Sequence, residues 1–287
     1  MIHIITTHYK TDIWMNLQRG YLEKYTSEPY NVWCGLYQTE TPSDWEVPQH
    51  GACLQRLSCA GISNWWFFDI NHIEDSHFHQ VNYLVANPIP NIGDDDIFLF
   101  LDCDAFPCVE GWDIKVKKYL QDHDVVAVYR KEDLGLNSDY DDIPHLCFFA
   151  TTRKTWIENK LLWSLDFAPA DLSKPERYEN PQVGMKRRIE EASLKVKKLH
   201  RTNLFDAHRV CFGIYDDLVY HHSCAIRGFH GHVWEGADCY IRKNNGLEFT
   251  MGSDMAKVNA EIWRSIWNAI KEDESYTFVR RYFMGAP

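Results

Sequence analysis

The chain has 287 residues, with 30 Lys and Arg against 41 Asp and Glu and a formal net charge of −11 at pH 7. This acidic balance argues against a nucleic-acid backbone as the partner. No apolar run approaches the ~18 residues of a membrane-spanning helix, and the first residues lack the charged and apolar regions of a signal peptide.

The nine cysteines are scattered and include no Cys-X-X-Cys pair, which is typical of a reduced compartment. We therefore expect a soluble, cytoplasmic protein. Hydrophobic residues make up 45% of the chain, and no repeat, low-complexity segment or linker interrupts it. We expect one compact domain over residues 1–287.

The first hundred residues alternate between short strands and helices. The patterns predict strands over residues 2–8, 32–37 and 65–69, and helices over 14–25, around 53–60, and from Ser76 to the residues before Pro88. Trp14, Leu17 and Tyr21 recur on one face of the first helix. This strand and helix order predicts an α/β fold with a mainly parallel sheet flanked by helices.

Residues 97–107 contain five consecutive apolar residues followed by two aspartates, Asp102 and Asp104. The apolar run predicts a strand buried on both faces, and ligands of open α/β sheets bind beyond the carboxyl ends of such strands. Side chains two residues apart share a face, so both carboxylates can approach one Mg²⁺ or Mn²⁺ ion. A solvated turn is the alternative interpretation.

Two other uses of paired aspartates fit less well. A haloacid-dehalogenase-type phosphatase carries Asp-X-Asp-X-Thr/Val near the chain start, whereas here Ala105 and Phe106 follow the pair, a third of the way into the chain. Template-dependent polymerases carry similar strands in basic chains, and this chain is acidic.

The remaining elements are predicted in the same way. The patterns indicate helices over residues 112–120, 156–163 and 253–271 and strands over 125–129, 145–151 and 210–220. Residues 166–181, rich in Pro, Asp and Glu, are predicted to form a loop that covers a site. The basic residues between 185 and 198 predict a solvated helix face, with phosphate binding as the alternative.

Five stretches, taken together, resemble nucleotide-sugar glycosyltransferases of the GT-A fold, a Rossmann-like architecture, over about residues 2–230. In chain order they are Phe68-Asp-Ile-Asn71, Ser76-His-Phe-His-Gln-Val-Asn82, Asp102-Cys-Asp104, His145-Leu-Cys-Phe-Phe-Ala150 and Phe212-Gly-Ile-Tyr-Asp-Asp-Leu-Val-Tyr-His-His222. The resemblance implies a nucleotide-sugar-binding half over residues 1–107, an acceptor-binding half over 108–240 and a C-terminal helical segment over 241–287.

The resemblance implies a metal-dependent enzyme that moves a sugar from a nucleoside-diphosphate sugar to a glycan or other hydroxyl acceptor. Asp104 and Asp102 then hold Mn²⁺ or Mg²⁺, with Asp102 also able to contact the ribose. A UDP-sugar is favoured over a GDP-sugar as the donor. The charge that develops on the departing diphosphate needs a Lewis acid of this kind.

The nucleotide is expected across the ends of the first and third strands. The residues expected to bind it there are Thr7, His8 and Asp69 from those ends, His77 and Asn82 from the following helix, and Arg227 as a phosphate contact. Only one of His221 and His222 can face the metal, because neighbouring strand residues point to opposite faces. The resembling enzymes often have a histidine just before a small-residue turn, and Ser223-Cys-Ala225 follows His222 directly. The resemblance therefore implies His222 as the preferred ligand, with His221 as the alternate.

The chain departs from the family where inverting enzymes keep a general base. Gln182-Val-Gly184 stands at the position of their Asp-Thr-Gly sequence, and a glutamine side chain cannot act as a base. Asp171 or Glu179 could substitute, and a retaining mechanism stays open. A metal-dependent phosphohydrolase, a nucleotidyltransferase and a noncatalytic sugar-binding or nucleotide-binding relative also remain as alternatives.

Overall fold

The computed structural model describes residues 1–9, 12–37, 55–56, 64–71, 73, 77–86, 92–129, 142–164, 181–203, 212–222 and 265–285. The helices are α1 (Asp12–Tyr25), α2 (His77–Ala86), α3 (Trp112–Asp122), α4 (Arg153–Glu158), α5 (Pro181–Glu191), α6 (265–272) and α7 (Phe278–Met284). The strands are β1 (Ile2–Tyr9), β2 (Tyr30–Tyr37), β3 (Gln55–Arg56), β4 (Trp65–Asp69), β5 (Ile97–Leu101), β6 (Ala105–Pro107), β7 (Val125–Tyr129), β8 (Pro144–Thr152), β9 (Val196–Leu199), β10 (Gly213–Tyr215) and β11 (Val219–His221).

The strands form two sheets. The larger has eight strands in the order β3-β4-β2-β1-β5-β8-β7-β9, and the smaller has the order β10-β11-β6. Strands β4, β2, β1 and β5 are parallel neighbours, β3 and β8 run against them, and β7 and β9 return to the first direction. Six strands of the larger sheet therefore share one direction, which confirms the predicted mainly parallel α/β sheet.

Strand β5 lies inside this sheet because it is apolar on both faces. Leu99 and Leu101 pack in a core that also contains residues of α1, α3, α6 and α7. Phe98 and Phe100 pack in a second core, with residues of α2, α4 and α5. Since successive side chains of a strand alternate between faces, each core receives every second residue. Helices cover both faces, so polar groups collect at the strand ends.

Two of the predicted helices differ from the structure. Within 53–60, Gln55–Arg56 form β3, because they pair antiparallel with Phe67 and Trp66 of β4; the other residues of that range lie outside the described part. The helix predicted over 156–163 begins earlier, at Arg153. Its N-cap is Thr152, whose hydroxyl accepts a bond from the Thr155 N–H.

The helix face predicted from the basic residues between 185 and 198 and the strand predicted over 210–220 also differ from the structure. Helix α5 ends at Glu191, and Lys197 and Lys198 belong to β9, which pairs with β7, so the basic residues are divided between a helix and a strand. The strand predicted over 210–220 is a hairpin of β10 and β11. Asp216 and Asp217 reverse the chain with φ of 53° and 54°, in the left-handed region that Asp tolerates better than most residues.

The C-terminal helix predicted over residues 253–271 is seen over 265–272, and its earlier part lies outside the described residues. Ile266 and Ile270 are buried, and the ring of Trp267 stacks on Trp14 of α1 at 4.6 Å. Within the described ranges, no helix has the length and apolar character needed to span a membrane.

Candidate functional site

The aspartates of the Asp102-Cys-Asp104 sequence lie in the turn that leaves the carboxyl end of β5. The strand ends at Leu101, and β6 begins at Ala105. The Ala105 N–H donates to the Asp102 carbonyl at 3.0 Å, which closes the turn. Asp102 is half-buried and Asp104 is buried. Both carboxylates therefore lie at the edge where open α/β sheets bind ligands.

A buried glutamine on α1 fixes this turn. The Gln18 Nε2 atom donates to the carbonyls of Asp102, at 2.9 Å, and Ala105, at 2.8 Å. The Gln18 Oε1 atom lies 3.3 Å from Nε2 of His8, at the end of β1. Gln18 is not among the site residues that the sequence predicts. The sequence feature that indicates it is a polar residue four positions after Trp14, on the apolar face of the helix.

The smaller sheet brings a histidine to the aspartates. Strand β11 pairs antiparallel with β6, and in that register His221 lies opposite Ala105. The His222 N–H donates to the Asp104 carbonyl at 3.0 Å. Two hydrogen-bonded strands thus hold the histidine pair against the turn, although the two segments are far apart in the sequence.

The imidazole of His221 is the one that faces both carboxylates. Its Nε2 atom lies 3.3 Å from Oδ1 of Asp104 and 3.6 Å from Oδ2 of Asp102. One ligand atom from each of the three residues falls within 4.8 Å of the other two. Two carboxylates and one imidazole are suitable ligands for Mn²⁺ or Mg²⁺, and three protein ligands leave coordination positions for other groups.

This geometry favours His221 over His222, the histidine preferred from the sequence, as the residue that faces the aspartates. The His222 side chain is buried among aromatic rings, with centroids 4.8 Å from Trp14 and 5.1 Å from Phe212. Its Nδ1 lies 2.8 Å from the hydroxyl of Tyr220. Burial lowers the pKa of His222 to about 3, although Asp104 nearby acts in the opposite direction. The expectation that only one of the pair faces the aspartates agrees with the structure, but that residue is His221.

The residues predicted to bind the nucleotide at the strand ends are Asp69, Thr7 and His8. Asp69 ends β4, and its Oδ1 accepts bonds from the backbone N–H of Asn71 at 2.9 Å and from the side-chain amide of Asn71 at 2.7 Å. Thr7 is buried and pairs with Gly35 of β2. His8 is buried against Gln18, behind the aspartate turn. These residues lie at the same edge of the sheet as the aspartates.

The two residues predicted from α2 have different neighbours. His77 begins the helix with a largely exposed side chain, and its Nδ1 lies 3.7 Å from Oδ1 of Asp102. The side-chain amide of Asn82 donates to the Trp163 carbonyl, and its Oδ1 accepts from the Trp163 N–H at 3.1 Å. Asn82 therefore ties α2 to the segment that follows α4.

Several predicted site residues lie outside the described part of the chain. Arg227, Asp171 and Glu179 are among them, as is the loop predicted over 166–181 up to residue 180. Gln182 is half-buried in the first turn of α5.

Comparison with family models and with curated proteins found no match. Among solved structures, the chain is similar to S. aureus TarS 1-349 (TM-score 0.47, 11% identity, 99% of this chain and 92% of that chain covered). It is also similar to galactosyltransferase LgtC with donor and acceptor sugar analogs (0.42, 14%, 92% and 99%) and to glycosyltransferase GlyE of Streptococcus pneumoniae (0.39, 12%, 96% and 64%). Since none of these TM-scores reaches 0.5, an assignment of function has to rest on the site itself.

Proposed function

We propose that the protein is a metal-dependent glycosyltransferase that moves a sugar from a nucleoside-diphosphate sugar to a glycan or other hydroxyl acceptor. One observation supports this most directly. Asp102, Asp104 and His221 converge at the carboxyl end of a strand inside a mainly parallel sheet, the edge where such sheets bind ligands.

The residues of this cluster fit a divalent cation. Two carboxylates with oxygens within 4.8 Å of each other carry like charges, and a dication between them relieves their repulsion. An imidazole ligand such as His221 suits Mn²⁺ better than Mg²⁺, so we propose Mn²⁺ as the preferred ion. When bound, the ion supplies Lewis-acid stabilisation of the departing diphosphate. Asp104 and His221 would hold it, with Asp102 as a further ligand or a ribose contact.

The surrounding residues would orient the nucleotide. Asp69 ends β4 with its carboxylate at the same edge of the sheet, where it can accept a hydrogen bond from a nucleobase. His77 lies next to Asp102 and can reach a ribose or phosphate oxygen. In this arrangement residues 1–107 form the donor half, 108–240 the acceptor half and 241–287 a supporting helical segment.

The test is a panel of nucleotide sugars, UDP-sugars first, incubated with Mn²⁺ and with sugar or hydroxyl acceptors. A transferase releases nucleoside diphosphate in step with the formation of a glycosylated product. Release of nucleoside monophosphate or inorganic phosphate would instead identify a phosphohydrolase or nucleotidyltransferase that uses the same aspartates. Nucleotide binding without turnover of any donor would identify a noncatalytic binding protein.

A further inference from the structure

His221 belongs to a second group of possible metal ligands beside the first. One ligand atom each from His145, Cys147 and His221 lies within 4.8 Å of the other two. Cys147 and His221 are buried and His145 is half-buried, and the imidazole centroids of the two histidines are 5.5 Å apart. This group has a sulfur and two imidazoles in place of the two carboxylates and one imidazole of the first.

The register of the sheet explains why these residues meet. Strand β8 runs antiparallel to β5, and Phe149 lies opposite Phe100 at the end of that ladder. Continuing the register by two residues brings Cys147 beside the turn that begins at Asp102. The pairing of β8 with β7 is irregular between Ala127 and Val128, opposite this segment. Irregularities of this kind redirect side chains, and they are frequent next to functional sites.

We propose that His145, Cys147 and His221 form an inhibitory site for a soft divalent cation, Zn²⁺ above all. Zn²⁺ binds thiolate and imidazole at about 2.3 Å and 2.0–2.1 Å, which puts tetrahedral ligand atoms roughly 3.3–3.6 Å apart. Since the three ligand atoms lie within 4.8 Å of one another, each pair has to approach by at most about 1.2–1.5 Å. Three protein ligands leave the fourth position to water.

Binding at this site would displace a hydrogen bond and release a proton. The Cys147 N–H donates to Nδ1 of His145 at 3.2 Å, and a cation on that nitrogen would replace the contact. The Cys147 thiol has to lose its proton to the solvent, as thiolate ligands of Zn²⁺ do.

The shared histidine makes the two sites compete. Nε2 of His221 faces Asp102 and Asp104, and one nitrogen lone pair binds one cation at a time. If the two cations bound different nitrogens of the ring, they would still be close enough to repel each other strongly. Zn²⁺ on the second site would therefore withdraw His221 from Mn²⁺ on the first. This consequence for activity rests on the proposed function, whereas the existence of the second site does not.

The binding test uses Co²⁺ on the metal-free protein, because a cobalt–thiolate bond gives a charge-transfer band in the near ultraviolet. The wild type is expected to show the band, Cys147→Ser to lose it, and His145→Gln to need at least tenfold more Co²⁺. Cys34→Ser is the matched control, a buried cysteine on β2, and should keep the band. No band in the wild type, or a band that survives Cys147→Ser, would overturn the site.

Competition is then measured directly. Added Mn²⁺ is expected to raise the Co²⁺ concentration needed for half of the band, and equal cobalt binding with and without Mn²⁺ would overturn the shared-histidine part of the proposal. In the transfer assay, Zn²⁺ added at fixed Mn²⁺ should inhibit the wild type at concentrations at least tenfold below those needed for Cys147→Ser. A wild type that turns over no donor would contradict the proposed function and leave the cobalt result standing.

Discussion

Nε2 of His221, in the smaller sheet, lies 3.3 Å from Oδ1 of Asp104, in the turn that leaves the larger sheet. Two backbone features maintain this contact: the pairing of His221 with Ala105 and the bond from the His222 N–H to the Asp104 carbonyl. The site therefore depends on the docking of the β10-β11 hairpin on β6. A ligand held by backbone pairing loses little freedom on binding a metal, because most of its ordering is already achieved.

The first prediction separates the two adjacent histidines. His221→Ala removes an imidazole from the aspartate cluster, so the Mn²⁺ concentration for half-maximal activity should rise by at least about tenfold. His222→Phe changes a ring inside the aromatic core and should leave that concentration within about twofold. The measurement is a Mn²⁺ titration of transfer activity for both variants. Equal shifts in the two variants would remove the imidazole of His221 from the metal site.

The second prediction concerns Asp104. Asp104→Asn keeps the size of the side chain but removes a carboxylate ligand, so activity with Mn²⁺ should fall by roughly a hundredfold or more. The thermal unfolding midpoint should not fall, because the change also relieves repulsion between two neighbouring carboxylates. Near wild-type turnover in this variant would exclude the cluster as the active centre.

The third prediction concerns Gln18, which holds the turn without touching a ligand. Gln18→Leu leaves the Ala105 carbonyl without its side-chain donor, and an unsatisfied buried group costs about 1–3 kcal/mol of unfolding free energy. The Asp102 carbonyl loses one of two donors and keeps the Ala105 N–H. The turn should also loosen, so Mn²⁺ should bind at least about threefold more weakly. Asn16→Leu is the control, an exposed position on the same helix. Urea unfolding and Mn²⁺ titration measure both effects, and unchanged Mn²⁺ affinity would leave Gln18 a purely structural residue.

The sheet was predictable because its strands are apolar runs of the right length. Strands β1, β2, β4, β5, β7 and β8 match the predicted ranges closely, since burial on both faces removes the ambiguity of an alternating pattern. The two aspartates could be predicted for the same reason, because the carboxyl end of such a strand is a ligand-binding position. Short edge elements such as β3 and β6 depend on their pairing partners, and a local pattern does not contain that information.

The choice between His221 and His222 could not be predicted from the sequence. Alternation along β11 requires the two rings to face opposite ways, but which ring faces the aspartates depends on the register with β6. A register shifted by one residue would exchange the two roles. Gln18 was missed for a similar reason, because its partners are backbone carbonyls that the sequence does not identify.

The fourth prediction distinguishes two roles in the predicted nucleotide site. Asn82→Ala breaks the reciprocal bonds with the backbone of Trp163, so exchange of the Trp163 amide hydrogen should accelerate by about tenfold or more. Asp69→Ala should weaken nucleotide binding by roughly tenfold, the equivalent of one lost hydrogen bond. Hydrogen exchange and calorimetric titration provide the two measurements. A loss of nucleotide affinity in Asn82→Ala with slow exchange at Trp163 would instead support direct contact of Asn82 with the nucleotide.

The last prediction follows from the burial of His222. Its pKa is about 3 in the folded protein against an ordinary 6.5, so between these values the unfolded chain binds one more proton than the folded one. The corresponding stability is complete above pH 6.5 and is lost progressively as the pH falls from 6.5 towards 3. Between pH 7.5 and 5.5 this single group should lower the free energy of unfolding by about 1.4 kcal/mol.

His222→Phe removes the titrating group and keeps an aromatic ring among Trp14 and Phe212. The variant also loses the contact with the Tyr220 hydroxyl, but that cost is the same at both pH values and cancels in the difference. Urea unfolding at pH 7.5 and 5.5 should therefore show a smaller loss in the variant than in the wild type, by about 1.4 kcal/mol. An equal loss in both proteins would mean that His222 is protonated as readily in the folded state as in the unfolded one, which full burial in an aromatic core opposes.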